Sequence, residues 1–425
     1  MAISALRAAF TLLFLSLPVW AVNLDQAVQS TLEKNELVGQ SRSQVKQAEE
    51  AVDQIRGNIL PNLSLNATYL RQPRLTDPVA AGFFPEEQMT TNLTLTQPIF
   101  RGLREFSALD RQKDLRTAQK QTHLVQMMDL YQQTAQSYLD VLALEQDLRN
   151  LEAQQKIYKE RVRDLQGRAR RGQSSSAEAL QAQSTAAALD AEYQIQSSRL
   201  RSARENFALL TGLPSGTKLT DLPENEINGK VKPLEDYLSR LENRPDLKAS
   251  KSMAEAADEE VSIAKGAHWP TVDLTGNYYF TRPEGFSEDL DWDVQIRATL
   301  PLFEGGVTQS KVRMAVLQRS EKDLAMTQAR RKAEAEIRSL HDALRTRVDQ
   351  LKALKLASDL AEKNYQLLQR DSRRGLARSL DVQLGLTEYR LAKRNYDQAR
   401  YQARLDHIRL DLASAQIPAV LNKEM

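Results

Sequence analysis

Leu300-Pro301-Leu302-Phe303-Glu304-Gly305-Gly306 has an earlier counterpart, Gln97-Pro98-Ile99-Phe100-Arg101-Gly102, 203 positions upstream. Ahead of each copy, apolar and polar residues alternate. Behind each, a proline-free helical pattern runs for more than 100 residues. A period of two giving way to one of about 3.5–3.6 reads as a strand feeding a long helix. Proline suits the junction because it has no N–H to give to a sheet ladder, and glycine permits a sharp swerve. Pro98, Phe100 and Gly102, with Pro301, Phe303 and Gly305, are therefore the expected strand-to-helix joints.

The correspondence extends along the chain. Pro61, Leu63, Leu65 and Tyr69 match Pro270, Val272, Leu274 and Tyr278 at an offset of 209. Arg171-Gly172, Glu178 and Tyr193 match Arg374-Gly375, Asp381 and Tyr396 at 203. The offset drops by six between the groups, which places one deletion in the loop joining paired strands. The reading is a tandem structural duplication, with a leader over 1–21 and halves at 22–225 and 226–425.

Each half opens with a helix (24–56; 234–265) and continues into two strands, 60–70 with 89–99 and 271–281 with 291–302. Leu63, Leu65, Ala67 and Tyr69 oppose Asn62, Ser64, Asn66 and Thr68; Trp292, Val294, Ile296 and Ala298 oppose Asp293, Gln295, Arg297 and Thr299. Strands of ~9–11 residues with one apolar face fit a transmembrane barrel wall. Tyr69, Tyr278, Phe280 and Trp292 lie toward one end, as a girdle would. A soluble sandwich with one wet face accounts for the strands equally well when they are taken alone. The joining loops, with Pro73, Pro78, Gly82, Pro85, Pro283 and Gly285, are rich in turn residues.

The segment Leu103–Arg171 would reach roughly 100 Å as one helix. Ile337, Leu344 and Leu351, with Leu340, Leu354, Ala361 and Leu368, fall on heptad positions, interrupted by Arg347 and Ser358. So narrow a stripe on a polar helix indicates coiled-coil packing. Each long helix stops at a basic cluster and a glycine, giving hairpin tips near 172–176 and 375–379. Ser175-x-x-Glu178 reads as a capping box, and Ser379 with Asp381 as cap and first-turn acid.

Composition narrows the function. The 425 residues carry a net charge of +2 and no cysteine, so neither a nucleic-acid-binding field nor a thiol or disulfide site is indicated. Mean hydropathy is −0.52, too polar for a helical membrane protein. Arg7, the apolar run Ala8–Leu17 and Val19-Trp20-Ala21 read as a secretory leader cleaved after Ala21. The run is shorter than the ~20 residues a membrane anchor needs. His123, His268, His341 and His407 lack ligand spacing, Met127-Met128 reads as packing, and no phosphate loop or catalytic triad is present, so neither a metal, a cofactor nor an enzyme is expected. Tyr193, Tyr396 and Tyr401 are expected in coiled-coil or interface packing.

Four strands are too few for a barrel, and open edges do not survive in lipid. The chain must share its barrel with copies: two would give eight strands, three would give twelve. The doubled Pro-x-Phe-x-Gly joint, the paired Arg-Gly tips, Ser379-Leu380-Asp381-Val382 and Leu209-Leu210-Thr211-Gly212-Leu213-Pro214 resemble the TolC-type outer membrane efflux proteins across essentially the whole mature chain. The resemblance implies a mixed α and transmembrane β fold: a homotrimer whose twelve-stranded β-barrel continues into a long periplasmic coiled-coil barrel. It further implies an outer membrane exit duct for a tripartite efflux or type I secretion system. Its partners would be outer membrane lipid, a periplasmic adaptor and an inner-membrane pump. Residues 213–233 and the C-terminal tail would fall in the family's equatorial region.

The same resemblance assigns Asp381, and Glu178 as its counterpart, to a periplasmic aperture. A second acid found three positions on in some members is replaced by Leu384. Favourable interaction with a helix N-terminus explains both acids as well, and the two roles are compatible. Arg171, Gly172, Arg374, Gly375 and Leu376 are the candidate adaptor-docking tips, beside the simpler reading of helix termination. The rival for the whole chain is a periplasmic structural coiled coil without a channel.

Overall fold

The computed structural model describes residues 21–73, 76, 86–221, 231–282 and 289–421. Leader residues 1–20, loop residues Pro78, Gly82, Pro85, Pro283 and Gly285, residues 222–230 of the equatorial segment and the last four residues of the tail lie outside that range.

The first half begins with α1 (Leu24–Lys34) and α2 (Glu36–Gly57) where one helix was expected. Asn35 makes the break. Its side-chain oxygen accepts from the Leu37 N–H and its side-chain NH2 donates to the Leu210 carbonyl, so it starts a new helix instead of continuing the old one. Strands β1 (Asn62–Arg71) and β2 (Glu87–Arg101) follow, then α3 (Arg104–Arg170), 67 residues without interruption, and α4 (Ser176–Thr211). The second half repeats the order: a short α5 (Leu234–Leu238), α6 (Pro245–Gly266) with proline in the first turn, β3 (Thr271–Thr281), β4 (Trp292–Thr299), α7 (Val307–Arg373) and α8 (Ser379–Ala413). Here too the opening helix is divided, between Leu238 and Pro245.

The strands form one antiparallel sheet in the order β1-β2-β3-β4. β2 runs on through Pro98 to Arg101 because β3 flanks it there; Phe100 faces Val272, with a register shift beside Pro98 that absorbs the missing N–H. β4 is shorter than expected. It stops at Thr299, paired with Thr271, since the next pair would set Leu300 against Pro270, which has no N–H to donate.

The helices lie side by side as a strip. α2 and α4 pack on α3, α3 packs on α6 and α8, and α7 packs on α6 and α8. The main core sits at mid-height, where Val28 of α1, Met127, Ala135, Tyr138 and Leu142 of α3, Phe207 of α4 and Tyr401, Leu405 and Leu412 of α8 converge. Tyr138 is fully buried, and its hydroxyl lies 2.6 Å from the Thr220 carbonyl and 3.0 Å from that of Val22. It thereby ties the chain's entry to the end of α4's connection. On α7, Ile337, Leu344 and Leu351 are buried as the heptad spacing predicts. Arg347 interrupts that seam to reach Asp406 of α8 at 3.2 Å.

Candidate conduit wall, aperture and docking tips

The two faces of the sheet differ in kind. On one, an amide and hydroxyl ladder crosses all four strands. Asn66 donates to Thr94 (3.0 Å), Asn92 to Thr94 (2.8 Å), Thr94 to Asn277 (2.9 Å) and Asn277 to Asp293 (2.9 Å). Nearer the helices, Arg101 holds Asp273 through Nε and Nη2 at 3.0 and 2.8 Å. The other face carries Leu63, Leu65, Leu95, Val294 and Ile296, with Leu65 66% and Ile296 71% exposed in the single chain. A contiguous apolar face of this extent is uncharacteristic of a soluble monomer. Tyr278 lies opposite Trp292 and edge-on to Phe280, with Tyr69 opposite Met89, all toward the end away from the helices. Among the described residues β1 pairs only with β2 and β4 only with β3, so both outer edges present unpaired backbone.

The two joints share a motif but differ in setting. Gly102 and Leu103 both take left-handed backbone (φ 70° and 61°), as do Gly305 and Gly306 (φ 61° and 85°). Two such residues in succession turn the strand direction into the helix axis. Pro98, Phe100 and Gly102 are half-buried against α6 and β3, whereas Phe303 is 90% exposed and Gly305 is also exposed. Pro301 lies beyond the end of β4.

Both hairpin tips close in the same way. The Gln173 N–H bonds the Arg168 carbonyl and the Gly172 N–H that of Ala169; Leu376 and Gly375 repeat this with Asp371 and Ser372. That pair of bonds is the Schellman closure, which needs left-handed backbone at the glycine; Gly172 has φ 69° and Gly375 φ 77°. Arg171 and Arg374 are the C-caps, and Leu376 projects 76% exposed.

The acids near the tips are engaged. Arg378 clasps Asp381 through Nε and Nη2 at 3.2 and 3.1 Å, and its backbone N–H adds a third bond. The side-chain bond from Arg378 is the main reason the Asp381 carboxyl is held below the usual carboxylate range. Arg378, not Ser379, occupies the N-cap. Glu178 accepts from the Ser174 hydroxyl at 2.6 Å instead of reaching back to the Ser175 N–H, so the expected capping box is half made: Ser175 alone caps, through the Ala177 N–H. The competing Ser174 hydroxyl is the reason.

A feature absent from the sequence reading lies midway down the hairpins. Arg394 of α8 faces Asp147 of α3 and Glu192 of α4, both at 3.4 Å; Asn150 donates to Asp397 at 3.0 Å and Lys393 pairs with it at 2.9 Å. Asp147 and Asp397 are buried. Burial is the leading cause that pushes the Asp147 carboxyl up, against the pull of Arg394. The signal was present in the spacing: Asp147, Asn150 and Gln154 occupy seam positions on α3. Higher up, Arg244 at the start of α6 bonds Asp246, Glu336 of α7 and the Ala413 carbonyl of α8, clamping three helices together. The histidines serve locally; His123 meets Ser41 and His407 meets Asp411. No group of potential metal ligands occurs among the described residues.

A sheet with one apolar and one polar face, feeding helical hairpins whose long arms reach some 100 Å, defines a protein of mixed β and α build with a face suited to lipid. The sequence model of the outer membrane efflux protein family matches residues 27–213 and 238–416, and the chain belongs to that family. It is 23% identical over 410 residues to outer membrane protein TolC of Escherichia coli, covering 92% of this chain and 82% of that protein. In structure it resembles a membrane protein from Pseudomonas aeruginosa (TM-score 0.80, 18% identity, 92% of each chain). It also resembles VceC of Vibrio cholerae (TM-score 0.78, 18% identity, 92% of this chain and 95% of that one). The family's class of activity is efflux through an outer membrane channel.

Proposed function

We propose that three copies of the chain close the sheet into a twelve-stranded barrel in the outer membrane, with their helical strips forming one periplasmic tube beneath it. The two halves, 22–225 and 226–425, then act as a tandem duplication, each supplying a strand pair and a hairpin. The assembly is a passive exit duct. It takes substrates from a pump–adaptor complex of the tripartite efflux or type I secretion kind and releases them outside. The observation that carries this reading is the four-stranded sheet itself, with an exposed apolar face and two unpaired edges. Lipid covers such a face, and only closure on a neighbouring copy satisfies such edges. A periplasmic coiled coil without a channel leaves both features unexplained.

In the duct, the Asn66–Thr94–Asn277–Asp293 face lines the lumen, Arg171, Gly172, Arg374, Gly375 and Leu376 meet the adaptor, and Asp381 and Glu178 stand by the periplasmic opening. No reaction centre is needed. The test is reconstitution: purified protein inserted into planar bilayers carries a steady ionic current. Electrically silent bilayers, with insertion verified, contradict the reading.

A further inference from the structure

The two hairpin ends of this nearly neutral chain both carry a positive excess. Residues 161–178 and 370–381, the two hairpin ends, contain nine arginines against four acids, a net +5 in a chain whose total is +2. Arg163, Arg168, Arg170, Arg171, Arg370, Arg373, Arg374 and Arg378 are all exposed. Asp164 offsets Arg168 and Asp381 offsets Arg378, so the excess rests mainly on Arg163, Arg170, Arg171, Arg370, Arg373 and Arg374, while Glu178 is bonded to Ser174. Both ends lie together, since Leu386 of α8 packs with Tyr158 of α3 and Leu189 of α4, and Gln383 reaches Thr185. The sheet is more evenly mixed. Its polar face carries both signs, with Asp273 held by Arg101 and set opposite Arg297, and Asp293 facing Arg282 and Asn277.

We infer that the hairpin ends form a cationic mouth that makes the conduit prefer anions, small inorganic anions and multivalent organic ones alike. This rests on the conduit reading and adds selectivity to it. A ring of like charge at a constricted, low-dielectric opening raises the local concentration of the opposite ion and excludes its own sign. The sheet face, where acids stand beside the arginines, contributes a weaker bias, so selectivity belongs chiefly to the helical end. A surface field of this kind weakens as the Debye length contracts from about 10 Å at 0.1 M salt to about 3 Å at 1 M.

The experiment is the reversal potential of the purified full-length protein in bilayers of zwitterionic lipid under a KCl gradient. Chloride is expected to exceed potassium in permeability by about threefold or more near 0.1 M, the ratio falling toward one near 1 M. Arg170→Gln, Arg370→Gln, Arg373→Gln and Arg374→Gln combined should bring the low-salt ratio close to one, while the four Arg→Lys replacements keep it. Inositol hexakisphosphate should reduce the wild-type current from the helical side alone. A current that prefers potassium, or a preference for chloride that the four glutamines leave untouched, overturns the inference and spares the conduit. Absence of current from inserted protein defeats the conduit reading itself.

Discussion

Gly102 and Gly266 pack backbone against backbone: the Gly266 carbonyl occupies the space a Cβ on Gly102 would need, and a Cβ on Gly266 would meet the Gly102 oxygen at 2.7 Å. One end of α6 is thereby seated on the joint where β2 becomes α3. No equivalent neighbour surrounds Gly305. Gly102→Ala should destabilise the chain by about 2–5 kcal/mol, combining left-handed strain with forced separation of the two backbones. Gly305→Ala should cost only the strain, about 1–2 kcal/mol. Chemical unfolding of the two variants in detergent checks the order, and equal losses would show that the packing contributes nothing.

Leu103 holds the left-handed conformation that Gly306 holds at the matching point of the other joint. A Cβ in that region costs about 1–2 kcal/mol, part of which glycine returns through its freer unfolded chain. Leu103→Gly should therefore be neutral to stabilising, by up to about 1 kcal/mol, although it deletes an exposed apolar side chain. Gly306→Leu should lose about 1–2 kcal/mol. Unfolding midpoints of the pair decide it.

Gly375 lies at the turn of an exposed tip, and the chain contains no cysteine. Gly375→Cys supplies a unique handle, at a local cost of about 1–2 kcal/mol for the left-handed backbone. In cells, with assembly intact, a thiol-directed crosslinker should join it to a periplasmic adaptor. Recovery of assembled protein with no such adduct counts against docking at this tip.

Asp147 makes stability depend on pH with a definite sign. Burial raises its folded-state pKa, so the folded chain holds the proton more tightly than the unfolded one. Its stabilising contribution is complete below the ordinary carboxylate pKa of about 4 and is lost as pH rises through the raised folded value. Asp129 and Asp140 are shifted the same way, again chiefly by burial. Asp147→Asn should gain stability relative to the parent chain as pH climbs from about 4, and the difference should level off once the folded group has ionised. Unfolding midpoints at several pH values measure this; a difference that shrinks with rising pH contradicts it.

Much of this was legible in the residues. Pro98 and Gly102 marked one joint, Pro301 and Gly305 the other, and the glycines after Arg171 and Arg374 marked both tips, because backbone-special residues act locally. The heptad Ile337–Leu344–Leu351 was readable for a similar reason: one helix's own periodicity records its seam. What escaped depends on distant partners. Asn35 splits the first helix with help from a carbonyl 175 positions away, at Leu210. β4 ends early because of what its register sets opposite Leu300. The Asp147–Arg394–Glu192 layer draws on three helices, and polar residues on a seam look like surface residues until the partner helix is in place. Asp381 was readable as an acid beside a helix start, but its capture by Arg378 is a matter of rotamer.

In the proposed assembly, neighbouring copies close the two sheet edges that are unpaired among the described residues, and the number of copies is directly measurable. Light scattering or native mass spectrometry of detergent-extracted protein, with bound detergent accounted for, should give three times the mass of the mature chain. A monomer that stays dispersed without detergent would contradict the account at its root.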